Sequence, residues 1–351
     1  MIIVVSGAAG LIGGELVAQL IDKGHGVVAL IHRTPEIIAN DGRLVPSTPW
    51  AGMMPQAGQV VTLGCHIDQP GLGIPTDAVA LIADHSDLIL HCAALTAFEA
   101  PPADHQAINV DGTAHMLALA PRAGFLQIST AYVCGTKEGV IAEGPRDPGV
   151  GFSNGYEKSK AAAEALVRAA GAAGREIAIA RPSVVLGTHS CGTIRSFDTF
   201  YAVFRLLSEG RVSMLPAAEA ASIDFVPIDH VIGGITDIID HWPRAAGKTC
   251  HLTSGQAVAV PDFGAAMAHF EQFSPPQFVA ASEFSADALP PRERRLYKRA
   301  VAQYMGYFAR NPRFATDELV ALSGRECPPM DHGALLRMID YAIGRGFLKS
   351  V

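Results

Sequence analysis

The sequence has little that would commit it to a disulfide scaffold, a metal, a nucleic acid or a membrane. Its six cysteines, Cys65, Cys92, Cys134, Cys191, Cys250 and Cys327, are scattered among 351 residues with no CxxC pair. They suit reduced, buried thiols better than a secreted disulfide framework. Thirteen histidines include no HExxH or other metal-ligand spacing, so no metal is expected. Acidic residues outnumber basic ones, 34 Asp and Glu against 27 Lys and Arg, for a net charge of −7. That balance speaks against nucleic acid and anionic membrane surfaces as partners. A long apolar run is missing too. The N-terminal MIIVVSGAAGLIGG has no basic leader. Glycines and Glu15 interrupt it well short of the ~20 apolar residues of a membrane span. These absences predict a soluble, cytoplasmic protein without a membrane span.

What the chain does have is apolar material, 49% of its residues, and 35 glycines. That suffices for one large α/β domain and a smaller lobe. IIVVS (2–6) reads as a strand buried on both faces. GELVAQLIDKG (14–24) has helical spacing and HGVVALIHR (25–33) reads as a second strand, so β-turn-α-β fits within about thirty residues and implies a parallel sheet. Residues 34–59 hold neither period and read as loop. The rhythm resumes with strands at 59–64, 87–94, 125–130, 175–187 and 248–255. Helices are expected over 108–120, after Tyr156, and in the second half of 222–239. The predicted fold class is α/β, a Rossmann-type doubly wound parallel sheet with a smaller, mainly helical C-terminal substrate lobe. Residues 1–187 and 222–258 would form the dinucleotide-binding domain, and 188–221 and 259–351 the lobe over the carboxyl edge of the sheet.

The first strand runs into Gly7-Ala8-Ala9-Gly10-Leu11-Ile12-Gly13. Glycines at this spacing permit a tight turn, backbone approach to a pyrophosphate, and close helix–strand packing, while the helix N-terminus adds amide donors. Gly-rich turns are common, but one lying between a strand and a helix points to dinucleotide binding. An NAD site expects an acid at the end of the second strand for the ribose 2′-hydroxyl. This chain has His32-Arg33-Thr34 there. Arg33 suits a 2′-phosphate by charge-assisted contact, its alternative being a solvated surface arginine. NADP(H) is therefore favoured over NAD(H).

Ser129 and Thr130 close the strand FLQIST. Tyr156 and Lys160 follow, four residues apart on one helical face. A phenol with an ordinary pKa near ~10 is a poor proton shuttle, and a nearby cation would lower it. A strand-end hydroxyl could hold a substrate oxygen beside it. The set suits hydride transfer at a carbonyl carbon. By itself YxxxK is as well explained by a surface pair.

With these residues in view, the chain resembles an extended short-chain dehydrogenase/reductase through GAAGLIGG, HCAA (91–94), INVDGT (108–113), ISTAYVCG (128–135), YEKSK (156–160) and RPSVVLG (181–187). The resemblance implies that Thr130 is the hydroxyl of the catalytic triad with Ser129 beside it, and that Tyr156 is the acid/base. It implies that Lys160 also reaches the nicotinamide ribose, and that Asn109 completes the catalytic set. It places Ala93, Ala94, Pro182 and Ser183 at the cofactor. More narrowly, STAYVCG, NGYEKSKAAAE, IDFVPIDHV and QPGLGI (69–74) resemble the thioester reductase and fatty acyl-CoA reductase branch. Residues 304–322 and 337–348 resemble that branch's C-terminal helical region. The branch usually has Gly-Asp before the PxLGL stretch. Here Cys65-His66 stands there with Asp68 two residues late, so the adenine-side residue is His66, Asp68 or neither.

The branch implies reduction of an acyl thioester by NADPH to an aldehyde and a free thiol, in some members on to the alcohol. The substrate would be a small molecule, such as a CoA thioester, or an acyl group on a separate carrier protein. The same triad also suits an NADP-dependent ketone reductase or alcohol dehydrogenase, and loss of catalysis would leave a silent dinucleotide-binding protein. Phe197, Phe200, Tyr201 and Phe204 suit an apolar substrate or core packing equally. Both monomers and homodimers fit the resemblance.

Overall fold

The computed structural model describes residues 1–198 and 200–350. Thr199 and Val351, at positions the sequence assigns to the lobe, lie outside the described residues. Eight parallel strands form the central sheet: β1 (Ile2–Ser6), β2 (Gly26–Ile31), β3 (Thr48–Pro49), β4 (Val60–Gly64), β5 (Leu88–His91), β6 (Gly124–Ile128), β7 (Ile177–Pro182) and β8 (Thr249–Leu252). Their spatial order is β8-β7-β6-β5-β1-β2-β4-β3. The chain winds one way from β1 to β4 and the other way from β5 onward. The crevice between β1 and β5 is the switch point at which such sheets bind ligands.

Period-two alternation within these β-branched strands feeds two cores. Ile3 and Val5 of β1 pack with α1 (Leu11–Asp22) on one face, whereas Val4 and Val28 pack on the other. There they meet α2 (Thr76–His85), α3 (Gly112–Leu119) and α4 (Gly155–Ala172). A third core lies beyond the carboxyl edge, where Phe200, Phe204, Phe225, Phe263, Phe308 and Met338 are buried together. They bring together α5 (Phe200–Ser208), α7 (Val260–Ala268) and α8 (His332–Gly344), while α6 (Ile228–Asp240) backs the sheet beside α1.

Four sequence expectations change. Residues 34–59 are not all loop, because Thr48–Pro49 pairs with β4 and supplies the eighth strand. The first helix starts at Leu11 and not at Gly14, since Gly10 already serves as its N-cap. The strand expected over 175–187 is broken at Ser183. Its hydroxyl donates to Asp224 at 2.5 Å, and Val184–Leu186 leaves the sheet to pair with Phe225–Pro227. The C-terminal region, expected to be mainly helical, also carries short strands. One of them, Pro312–Phe314, pairs with Gly139–Ile141 and ties the tail back to the segment before α4. Among the described residues no helix is long and apolar enough to cross a membrane.

Candidate active site

The crevice opens into a cleft of about 370 Å³. One wall is the glycine turn. At Gly7 (φ +67°) a Cβ would lie 2.8 Å from the Ala93 nitrogen, and at Gly13 it would lie 2.2 Å from the Gly7 oxygen. These positions therefore exclude larger residues and keep the turn tight against β5. Gly10 caps α1 without a side-chain acceptor, and no acid stands in the first turn. Free amides at a helix N-terminus favour an anion, so the turn fits a dinucleotide phosphate. Gly7, Gly10, Leu11, Ile12 and Gly13 line the cleft. Ala94 does as well, while Ala93 donates its N–H to Ser6 Oγ at 3.2 Å. The Ala9 carbonyl accepts from Arg195.

The opposite wall rises from β6 and α4. Asn154 caps α4, accepting from Glu157 N–H at 2.9 Å, and the Glu157 carboxylate reaches back to Ser153 N–H at 3.0 Å. This reciprocal cap starts the helix one residue before Tyr156 and directs Tyr156 and Lys160 into the cleft. Thr130 and Ser129 line it too. Thr130 Oγ1 already accepts from Tyr132 N–H at 3.3 Å, so its own proton is free to donate to a ligand. The buried Ser129 hydroxyl has no partner among the described residues. Pro182 and Ser183 close the wall.

Charges under this wall are buried in pairs. Arg181 grips Glu164 through two bonds of 2.8 and 2.7 Å, and Arg310 reaches Glu157 at 2.6 Å. Lys160 Nζ donates to the Ile128 carbonyl at 2.8 Å. Burial pulls its ammonium down to about 8, with Glu164 pushing the other way. For Tyr156 the structure reverses the sequence expectation. Burial, and then the adjacent Glu157 carboxylate, hold the phenol well above its ordinary value. Desolvation is the larger of these two causes.

Several residues that shape the site were not singled out by the sequence. Phe98 stacks on Tyr156 at 5.8 Å and on Tyr307 at 5.9 Å, and packs against Tyr304 at 5.1 Å. The Arg310 guanidinium lies over the rings of Tyr132 and Tyr307 at 4.9 and 5.1 Å. Four of the five cluster in the tail stretch YMGYFAR or in STAYVCG, so their motifs were visible though their function was not. Asn109 sits in a π-helical turn (Gln106–Asp111) and does not line the cleft. Its amide accepts from Leu95 N–H at 2.7 Å and donates to Leu95 O at 3.0 Å and Ser159 Oγ at 2.8 Å, stapling the end of β5 to α4. His32, Arg33 and His66 are exposed at the carboxyl ends of β2 and β4 and do not line the cleft. The His32 and His66 rings meet edge-on at 5.2 Å, and Asp68 is exposed beyond them. Among the described residues no three His, Cys, Asp or Glu side chains converge as metal ligands, and all six cysteines are free.

The male sterility protein family, an NAD-binding family, matches residues 5–235. The chain belongs to this family. Fatty acyl-CoA reductase 1 of Xenopus laevis is 28% identical over 208 residues, half of this chain and 40% of its own length. Peramine synthetase A of Epichloe festucae is 26% identical over 259 residues, 68% of this chain and 9% of its own. The chain therefore spans less than half the length of these curated relatives. Among solved structures, the terminal R domain of the myxalamid PKS-NRPS pathway aligns over 99% of this chain and 92% of its own at a TM-score of 0.81, with 23% identity. A UDP-galactose 4-epimerase aligns at 0.65 over 98% of this chain and 99% of its own, with 17% identity. These likenesses show that this member of the male sterility protein family shares its Rossmann-type fold with both structures.

Proposed function

We propose that this family member is an NADPH-dependent reductase of acyl thioesters, carried on CoA or a carrier protein, or of the aldehydes derived from them. Residues 188–221 and 259–351 would form its substrate lobe. The observation that carries the reading is the convergence of Thr130, Tyr156 and Lys160 on one cleft wall opposite the glycine turn. The relatives named above, a fatty acyl-CoA reductase and a peptide synthetase, support a thioester as the acyl donor.

A bound reduced nicotinamide supplies the hydride. The chain's residues handle the oxygen. The free Thr130 proton holds the substrate carbonyl, and Tyr156 gives its proton to the oxygen as negative charge builds there. The phenol is protonated at neutral pH and so carries the proton that the reductive direction consumes, while its burial makes that proton harder to release until positive charge or a bound ligand offsets it. Lys160, fixed through the Ile128 carbonyl, supplies positive charge beneath. Phe98 and Tyr307 line the cleft, with Tyr304 packed behind Phe98, and would present an apolar face beside the reacting carbon. In the cofactor role, Arg33 would read a 2′-phosphate, with His32 and His66 at the adenine side.

The test is NADPH oxidation by the purified chain with a panel of acyl-CoA thioesters, aldehydes and ketones. Turnover of thioesters or aldehydes is expected. Turnover of a ketone with none of any thioester or aldehyde would replace this reading by a ketone reductase. A Tyr156→Phe control reports whether the observed rate belongs to this site.

A further inference from the structure

Residues 188–198 form a strap that leaves the strand Val184–Leu186 and returns to α5 across the glycine turn. It folds on itself through Gly192 (φ +72°), with Thr188 N–H bonded to Thr193 O at 3.0 Å. Asn40 then pins it at two points. Its Nδ2 donates to Thr193 O at 3.0 Å, and its Oδ1 accepts from Arg195 N–H at 3.0 Å. Asn40 is itself held by α1, its N–H donating to the Glu15 carboxylate at 2.7 Å. The backbone of Arg195 is thereby fixed in register with the helix that follows the glycine turn.

The side chain goes to that turn. Arg195 Nη2 donates to the Ala9 carbonyl at 3.2 Å, one residue before the uncapped Gly10 N-terminus of α1. Its Nε–H is buried and has no partner, and no carboxylate pairs with the guanidinium among the described residues. The adjoining Ile194 and Ser196 line the cleft, and Arg195, between them, reaches the turn from outside that lining. A guanidinium has five N–H donors, and leaving a buried one unpaired beside a neutral carbonyl is unfavourable. The other buried or half-buried arginines of this site, Arg181 and Arg310, each have a carboxylate. Arg195 has instead the place where an anion belongs.

We propose that Arg195 clamps a phosphate of the bound dinucleotide from the strap side, so that the cofactor ties the substrate-side segment to the Rossmann sheet. The proposal rests on the dinucleotide reading and adds to it a residue from outside the nucleotide-binding βαβ unit. The phosphate is either the pyrophosphate, shared by NADPH and NADH, or the 2′-phosphate, present in NADPH alone. Fork-shaped donors suit either.

The experiment is fluorescence titration of the full chain, wild type and Arg195→Ala, with NADPH and with NADH, beside thermal melts. Loss of a charge-assisted contact is expected to raise Kd about 10-fold. An equal rise for both dinucleotides identifies the pyrophosphate, and a rise for NADPH alone identifies the 2′-phosphate. Unchanged Kd for both in Arg195→Ala overturns the proposal. If Arg195→Ala does not fold, Arg195→Lys carries the test, because it keeps the charge and loses the fork: an intermediate Kd supports the clamp and a wild-type Kd overturns it. Failure of the wild-type chain to bind either dinucleotide overturns the dinucleotide reading itself, an outcome distinct from normal binding that ignores Arg195.

Discussion

On the α4 wall of the cleft the charged side chains are buried and matched, whereas at the ends of β2 and β4 they are exposed and loosely held. Glu164 with Arg181 and Glu157 with Arg310 bury both partners almost completely. His32, Arg33 and His66 stand in solvent, with one edge-on ring contact between the two histidines. Buried pairs impose geometry, because moving either partner leaves an unpaired charge in low dielectric. Exposed residues impose little and exchange easily. The wall that carries the Tyr156 phenol and the Lys160 ammonium is fixed by buried pairs, and the proposed nucleotide rim has none.

The sharpest way to test the contrast is to remove one atom from the rigid wall. Tyr156→Phe keeps the ring against Phe98 and deletes the proton donor. Turnover of the accepted substrate is expected to fall by about 10²–10⁴-fold. Kd for NADPH, by titration, should stay at the wild-type value. A wild-type rate would remove Tyr156 from the chemistry.

Next in size comes the pairing itself. Arg181→Ala leaves the buried Glu164 with only the longer contact to the part-exposed Arg168 at 3.3 Å, and is expected to cost about 3 kcal/mol in urea denaturation. Arg122→Ala is the control, since its pair with Asp84 leaves the two side chains 77% and 62% exposed. Exposed pairs contribute less than about 1 kcal/mol. Equal costs for the two variants would erase the distinction between buried and exposed charge.

Burial also sets the response to pH. Burial pulls His91 down to about 3, and His230 and His251 to about 4. Because the folded values lie below the unfolded value of 6.5, the unfolded chain takes up protons first as pH falls. Stability is full above about 6.5 and is lost progressively below it, by about 1 kcal/mol per histidine at pH 5.5. Burial lifts Glu143 the other way, to about 7, so stability falls as pH rises from its ordinary 4.5 to 7. Three histidines outweigh one carboxyl, and Tm should drop between pH 7.5 and 5.5. Because Glu143 offsets part of the histidine effect, His91→Gln should flatten the net slope by about half or more. A Tm independent of pH over this range would contradict the burial of these groups.

The same contrast explains what could be read in the sequence. The strand IIVVS, the glycine turn, the Rossmann rhythm and the Tyr156/Lys160 pair are local patterns, and local periodicity exposes them. The break at Ser183 was not legible, because it depends on Asp224, 41 residues away. Arg310 sits 153 residues from Glu157, and only the fold shows that it completes the cap of α4. The sign of the Tyr156 shift was misjudged because spacing reveals a neighbouring cation, while burial, which dominates, is a property of the packed chain. Arg195 escaped notice for the same reason: nothing in THSCGTIRS announces a contact with Ala9, 186 residues earlier.

The smallest expected effect belongs to the exposed rim. Arg33 stands in solvent at the end of β2, where a dinucleotide-binding unit places the residue that reads the ribose. If it contacts a 2′-phosphate there, the contact works in high dielectric and against competing salt, and a single exposed pair contributes less than about 1 kcal/mol. Arg33→Ala should therefore raise the Kd for NADPH by about 3- to 5-fold at low salt, leave NADH unchanged, and lose most of its effect at ~0.5 M salt, where charges are screened within about 4 Å. Titration of both dinucleotides at two ionic strengths checks this directly. An NADPH preference untouched by Arg33→Ala at low salt would take Arg33 out of the site and leave any discrimination between the two dinucleotides to the buried side of the turn. A large, salt-resistant loss would show instead that the rim closes over the nucleotide, and that its exposure is confined to the unliganded protein.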